Sequence, residues 1–140
     1  MLSQTAQYAL RAVLHIAATD GQRPVAVGEI ADAVDVPRNY LSKTLHQLSR
    51  AGVLTSTFGP GGGYRLAKAP DRLTLDEVVA PFDETGTTRH CVLGRARCSD
   101  RRPCEAHPHW KGISDQIHTF LHTTTVAKLL DPAHAGVFPV

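Results

Sequence analysis

The sequence of 140 residues has no long hydrophobic run and almost no excess of charge. No apolar segment approaches the roughly 20 residues that span a bilayer. The amino terminus lacks the charged start, the apolar stretch and the cleavage site of a signal peptide. We therefore expect a cytoplasmic protein that does not enter a membrane.

Cysteine is also scarce, with three residues in the whole chain. An odd count fits poorly with a secreted, disulfide-bonded scaffold, and clustered thiols in a reducing compartment more often bind metal or carry redox chemistry. The net charge of +2 favours no class of partner. Its distribution is more informative, because the segment 38–52 has basic residues and no acidic one. Such a patch can neutralise phosphates, or it can be an ordinary solvated surface.

Helical spacing of apolar residues predicts three helices in the first part of the chain. The first covers residues 6–18 and ends at Asp20-Gly21, and the second runs from Val27 to Val34. The third follows the tight connection Asp35-Val36-Pro37, buries a leucine stripe and stops at Gly52. Two short helices at this separation predict a helix-turn-helix.

A glycine-rich segment, Gly59-Pro60-Gly61-Gly62-Gly63, lies between two strand candidates, Val53–Phe58 and Tyr64–Ala67. Glycine enters positive φ without steric cost, so the segment predicts an exposed hairpin tip. A phosphate-binding loop is the alternative, but neither Lys-Ser nor Lys-Thr follows, and no helix begins there. We predict a mainly α fold with a small β-hairpin wing, which is a winged helix-turn-helix.

The remainder of the chain divides into loop and helix. Thr74 is the predicted cap of a further helix, and the segment 83–108 has no apolar periodicity. The predicted organisation is a DNA-binding domain at 1–80, a cysteine-rich loop at 81–108, a long helix and a short last helix at 109–130, and a loose tail at 131–140.

The long helix carries an apolar stripe with too little core of its own to cover. We predict that it pairs with a second subunit in a homodimer. The alternative is that the stripe packs back on its own domain. The residues of this predicted dimer interface are Trp110, Ile113, Ile117, Phe120 and Leu121.

The three cysteines form one pattern with a histidine, Cys91-x6-Cys98-x5-Cys104-x2-His107. Thiolates and imidazole are donors for iron–sulfur clusters, and four donors from one loop would order a segment that lacks a hydrophobic reason to fold. Tetrahedral zinc uses the same donors, and thiol redox sensing is a third possibility. An enzyme with a nucleophilic cysteine is a competing class, but no orienting acid or oxyanion motif accompanies the cysteines.

The third helix is expected to enter the major groove of double-stranded DNA with its amino-terminal residues at the base edges. Arginine pairs with guanine and asparagine with adenine, whereas residues beyond the wing would contact phosphates. With two subunits, the operator should be an imperfect palindrome with half-sites about one helical turn apart. The predicted DNA-binding residues are Arg38, Asn39, Tyr40, Ser42, Lys43, Gln47, Gly61, Gly62, Arg65 and Lys68.

Four segments, 1–12, 37–41, 59–66 and the cysteine loop, together resemble the IscR/NsrR-type bacterial regulators of the Rrf family. The resemblance implies a dimeric winged-helix transcription factor with an iron–sulfur cluster on the three cysteines. His107, three residues after the last cysteine, is similar to the fourth ligand of the IscR branch, so 2Fe-2S is favoured over 4Fe-4S. Phe58 stands where the family often has a basic residue. The resemblance implies a regulator that senses redox state, nitric oxide or iron status.

Overall fold

The structure is a computed structural model that describes residues 2–19, 23–83, 91–93 and 99–130. Within these ranges, helices predominate and a single hairpin provides the β-structure. The elements are α1 (Gln4–Ala18), α2 (Val27–Val34), α3 (Arg38–Arg50), β1 (Leu54–Thr57), β2 (Gly63–Leu66), α4 (Leu75–Val79), α5 (His107–Thr123) and α6 (Val126–Leu129), with one turn of 3-10 helix at Pro70–Arg72.

Helix α1 lies at the centre of the domain and packs against α2, α3, α4 and α6. Ser3 caps it, because its hydroxyl oxygen accepts a hydrogen bond from the Ala6 amide at 3.1 Å. Small residues on its buried face allow neighbouring helices to approach closely. The buried residues are Ala6, Ala9, Ala12, Val13 and Ile16.

The predicted helix-turn-helix is confirmed, and its turn depends on Asp35. This residue has φ 54° and ψ 56°, the left-handed conformation that often ends a helix and that aspartate tolerates better than most side chains. Val36 is buried directly after it, and α3 then begins behind Pro37. The inward face of α3 consists of Leu41, Thr44, Leu45 and Leu48. The opposite face of α3 therefore remains available to a ligand.

The wing is an antiparallel hairpin in which Leu54 pairs with Leu66 and Thr57 pairs with Gly63. Val25, just before α2, extends this small sheet by an isolated bridge to Tyr64, with both backbone hydrogen bonds at 2.9 Å. The hairpin is therefore bonded to the chain segment that leads into the helix-turn-helix. This bridge holds the wing at a defined position, where β1 packs against α3 and β2 against α1.

The end of α5 returns to the winged domain. Thr74, which caps α4 in a capping box with Glu77, forms an isolated bridge with Thr125. Backbone hydrogen bonds from Leu75 to Thr124 (3.0 Å) and from Val126 to Leu73 (2.8 Å) complete the junction. Helix α5 is thus anchored at its carboxyl end and packs along α4.

Helix α5 begins at His107, so this histidine lies in the first turn of the helix and not in the preceding loop. The predicted end of α1 at Asp20-Gly21 and the predicted loose tail at 131–140 lie outside the described residues. So do residues 84–90 and 94–98 of the predicted cysteine-rich loop.

Candidate nucleic-acid interface and cysteine loop

The outward face of α3 carries the predicted base-reading side chains. Asn39, Lys43 and Gln47 are exposed along successive turns, and Arg38 is exposed at the amino-terminal end. Ser42 is half-buried, and its hydroxyl donates to the Arg38 carbonyl oxygen at 2.8 Å. The structure therefore presents Asn39, Lys43 and Gln47 to solvent on a helix whose other face is anchored in the core.

The basic residues of α3 differ from Arg23 and Lys68, which pair with acidic side chains. Among the described residues, no salt bridge involves Arg38, Lys43 or Arg50. By contrast, Arg23 pairs with Glu29 at 3.1 Å. The guanidinium of Arg38 lies over Gly28 of α2, since its Cζ atom is 3.5 Å from where a Cβ at that position would be. A phosphate approaching α3 would not have to displace an acidic side chain.

Tyr40 connects the start of α3 to α1. Its ring contacts that of Tyr8 edge to face, with centroids 5.7 Å apart and planes at 88°, and its hydroxyl is hydrogen-bonded to Thr5. The predicted DNA contact of Tyr40 stays a prediction, whereas the contacts of its side chain in the structure hold α3 against α1. Arg11 of α1 adds a second link, because its guanidinium donates to the Val34 carbonyl oxygen at the end of α2.

At the wing, Gly61 and Gly62 lie at the hairpin tip as predicted, and Arg65 projects from β2 as an exposed side chain. Phe58, at the base of the tip, is 92% exposed. Lys68, which is also predicted to contact DNA, has a partner within the chain, because its ammonium forms an ion pair with Glu77. Burial raises the pKa of Glu77, but hydrogen bonds from Lys68 and the Thr74 backbone outweigh it, and the net pKa lies below the ordinary value. A phosphate contact by Lys68 would therefore compete with Glu77.

Two of the three cysteines lie in the described part of the loop. Cys91 is buried, and the backbone amide of Leu93 donates to its sulfur at 3.4 Å. Cys104 is half-buried, and its carbonyl oxygen accepts from the His107 amide at 2.9 Å. This bond places Cys104 and His107 on one turn of backbone. Cys98 lies outside the described residues.

His107 is among the most enclosed polar residues of the described chain, with 5% exposure. Its Nε2 atom lies 2.8 Å from Oδ1 of Asp100, and the Lys111 ammonium lies 3.3 Å from the same oxygen. Hydrogen bonds from His107 and Lys111 hold the pKa of Asp100 below its ordinary value. Asp100 is therefore an ionised carboxylate bound to two residues of α5 near its start.

The donor set fits a metal centre in its chemistry. The Leu93 amide is directed at the Cys91 sulfur, and His107 supplies a nitrogen donor on the same turn of backbone as Cys104. Sulfur and imidazole nitrogen are ligands for both iron–sulfur clusters and zinc. Within the described ranges, from which Cys98 is missing, no three His, Cys, Asp or Glu side chains come together as ligands. The predicted set therefore remains a prediction, with Cys91, Cys104 and His107 as its described members.

The apolar stripe of α5 divides into two faces. Leu121 lies in the core of its own chain, and only Leu121 and His107 of the 17 residues in α5 are buried. Ile113, Ile117 and Phe120 remain 50%, 42% and 53% exposed, and Trp110 is half-buried. The alternative that the stripe packs back on its own domain therefore holds for Leu121. Pairing of Ile113, Ile117 and Phe120 with a second subunit stays a prediction.

Three residues near these sites were not predicted from the sequence, namely Asp100, Tyr8 and Thr5. Asp100 contacts His107 from seven positions away, a spacing that has no periodic meaning in a loop. Tyr8 and Thr5 position Tyr40 from a different helix. None of these contacts leaves a local signal in the sequence, because each depends on how separate elements pack.

Comparison with known proteins gives the family. The Rrf2 family, described as "Iron-dependent Transcriptional regulator", matches residues 2–132. The chain is 36% identical to a protein of Aquifex aeolicus named "Putative HTH-type transcriptional regulator", over all of this chain and 98% of that protein. It is 32% identical to the HTH-type transcriptional regulator IscR of Vibrio atlanticus, over 92% of this chain and 74% of the relative. These relatives are regulators and not enzymes, as the sequence predicts.

Solved structures share the fold. CymR, the global cysteine regulator of B. subtilis, superposes with a TM-score of 0.78 at 23% identity, over 93% of this chain and 95% of CymR. IscR of T. potens superposes with a TM-score of 0.74 at 21% identity, over 100% and 93% of the two chains. No helix in the described ranges has the length and apolar character needed to cross a membrane. The winged helix-turn-helix, the match over residues 2–132 and the named relatives together place this chain in the Rrf2 family of transcriptional regulators.

Proposed function

We propose that this protein is a dimeric, cytoplasmic transcriptional regulator whose affinity for a palindromic operator depends on an iron–sulfur cluster. Cys91, Cys98, Cys104 and His107 would hold the cluster, with 2Fe-2S as the favoured type. The supporting observation is the buried His107, which lies one turn from Cys104 and contacts a carboxylate. Metal-binding histidines usually have such a partner, whereas a thiol switch needs no histidine.

The DNA-binding part of the proposal rests on α3. Its exposed amino-terminal half offers an amide for adenine and cations without acidic partners among the described residues. Arg65 on the wing would add a phosphate contact. Gly61 and Gly62 would let the hairpin tip approach the DNA backbone closely.

The structure suggests a route between the cysteine loop and α3. Helix α5 begins at His107 and packs on α4, α4 packs on α1, and Tyr8 of α1 contacts Tyr40 at the start of α3. When bound, the cluster would supply ligand bonds that hold the loop to the first turn of α5. We infer that these bonds bias the position of α5, and through α4 and α1 the position of α3. Such a bias changes operator affinity only if the two states bind DNA differently.

We expect Lys43→Gln and Asn39→Ala to weaken DNA binding in different ways. Loss of a phosphate contact at Lys43 should reduce affinity equally for operator and unrelated DNA, and should lower the salt slope of log K by about 1 per subunit. Loss of a base contact at Asn39 should cost about 1–3 kcal/mol on the operator alone. Fluorescence anisotropy across a salt series measures both quantities.

Lys128→Gln provides the matched control, since it removes an exposed lysine from α6. We expect it to leave operator affinity and salt slope close to those of the wild type. Equal effects of the Lys43 and Lys128 substitutions would contradict the assignment of α3 as the DNA-reading helix.

We expect anaerobically purified wild-type protein to contain iron and acid-labile sulfide, and Cys98→Ala to contain neither. The operator affinity of Cys98→Ala should then match that of the wild-type apoprotein. The apo and cluster-loaded wild type should differ by about 5- to 150-fold in operator Kd, the usual range of coupling between two sites. Metal and sulfide analysis, visible absorbance and anisotropy provide the measurements.

Two alternatives have distinct outcomes in the same experiment. A colourless protein that contains zinc would support a zinc-stabilised regulator, because tetrahedral zinc accepts the same donors. A metal-free protein whose operator affinity changes on oxidation and recovers with a thiol reductant would support thiol redox sensing. If Cys98→Ala bound the operator as the cluster-loaded wild type does, the cluster would have no part in regulation.

A further inference from the structure

Asp100 lies between the cysteine loop and the start of α5. Its Oδ1 atom is 2.8 Å from Nε2 of the buried His107 and 3.3 Å from the ammonium of Lys111, one turn further along the helix. The His107 amide is bonded to Cys104, so its backbone is fixed as well. Both the backbone and the ring of His107 therefore have defined partners.

The contact with Asp100 determines which ring nitrogen carries the proton. An ionised carboxylate has no proton and can only accept a hydrogen bond. A short contact between Asp100 Oδ1 and Nε2 therefore requires a proton on Nε2. In a neutral imidazole only one nitrogen is protonated, and the other has the lone pair that binds a metal. The donor atom of His107 would then be Nδ1.

We propose that Asp100 positions the histidine ligand of the cluster. It holds the His107 ring in the tautomer that binds iron through Nδ1. This inference rests on the proposed function, because it assumes that a cluster occupies the loop. A carboxylate that accepts the second N–H of a ligating histidine orients the ring and makes the nitrogen ligand more basic. Lys111 holds the carboxylate in place from the next turn of α5.

The first test measures cluster retention in three variants of the full-length protein. Asp100→Ala removes both the acceptor and the charge, Asp100→Asn keeps an acceptor oxygen, and Glu105→Ala removes an equal charge from an exposed residue next to Cys104. Loss of the residue that hydrogen-bonds a metal-binding histidine usually weakens metal binding about 10- to 100-fold. We expect chelator-driven cluster loss to accelerate by that factor in Asp100→Ala and less in Asp100→Asn, whereas Glu105→Ala should behave as the wild type.

The second test identifies the ligand nitrogen in the wild-type protein and so does not depend on a variant that folds. Protein is prepared with histidine labelled with nitrogen-15 at Nδ1 alone or at Nε2 alone. Pulsed EPR of the reduced cluster then shows which nitrogen is strongly coupled to the iron. We expect strong coupling from Nδ1, and His107→Cys should abolish it.

Failure of this inference can be distinguished from failure of the proposed function. A wild-type protein without iron and sulfide would overturn both. A loaded cluster with strong coupling from Nε2, or without coupling from any histidine, would overturn the role of Asp100 and leave the cluster in place. Equal rates of cluster loss from Asp100→Ala and Glu105→Ala would show a general effect of charge and would also overturn the role of Asp100.

Discussion

Ile117→Glu is expected to convert the protein to a monomer and to weaken operator binding by about 100-fold or more. Ile113, Ile117 and Phe120 form an exposed apolar stripe on α5, and a second copy of α5 is the proposed partner. A symmetric dimer contains the residue twice, and each lost burial costs about 1.5–3 kcal/mol before the desolvation of the carboxylate. A tenfold change corresponds to about 1.4 kcal/mol, so the dimer Kd rises by about 100-fold or more.

The loss of DNA affinity follows from the loss of the dimer. Two half-sites bound together gain about 10²- to 10⁴-fold over either half-site alone. Light scattering coupled to size-exclusion chromatography measures the oligomeric state, and anisotropy measures operator affinity. Thr119→Glu is the matched control, because it adds the same charge two residues later, about 200° around the helix from Ile117. A dimeric Ile117→Glu protein with unchanged operator affinity would contradict the proposed interface.

Gly63→Ala is expected to lower the free energy of unfolding by about 3 kcal/mol and to weaken operator binding. Gly63 has φ 153°, and a Cβ on it would lie 2.2 Å from the Val25 carbonyl oxygen. That carbonyl accepts the Tyr64 amide at 2.9 Å, in the bridge that ties the wing to the segment before α2. A methyl group therefore breaks the bridge or strains the backbone, and it displaces the wing in either case.

Gly112→Ala separates this steric effect from the general effect of removing a glycine. A Cβ at Gly112 of α5 would meet no atom within 4 Å. Alanine is favoured over glycine in a helix by about 1 kcal/mol, so this variant should be as stable as the wild type or more so. Urea unfolding followed by circular dichroism, at one protein concentration, compares the two. Equal stability of Gly63→Ala and the wild type would show that the wing tolerates the methyl group.

The sequence predicted most of the secondary structure because the signals are local. The bounds of α2 agree with the prediction at both ends, since its apolar spacing and the turn after it act within a few residues. The Thr74 cap and the glycine hairpin are confirmed for the same reason. The length of α5 was underestimated at its start, because His107 and Pro108 continue no apolar pattern although proline suits a first helical turn.

The candidate sites were predicted less completely. Helical periodicity showed that α5 has an apolar stripe, but it could not show that Leu121 joins the core whereas Ile117 stays exposed. The sequence identified Lys68, just after the wing, as a candidate phosphate contact, but its ion pair with Glu77 of α4, nine positions away, depends on the tertiary structure. The ligand role of Cys98 stays a prediction, since this residue lies outside the described part of the chain.

The chain of amino acids alone determines the helix-turn-helix, the wing and the order of soft donors, because turn chemistry and periodicity act between neighbours. Only the tertiary structure decides which side chain faces which partner. Asp100 reaches His107, and Tyr8 meets Tyr40, through contacts between separate segments. Packing free energy selects such contacts over the whole fold, and no short stretch of sequence contains that information.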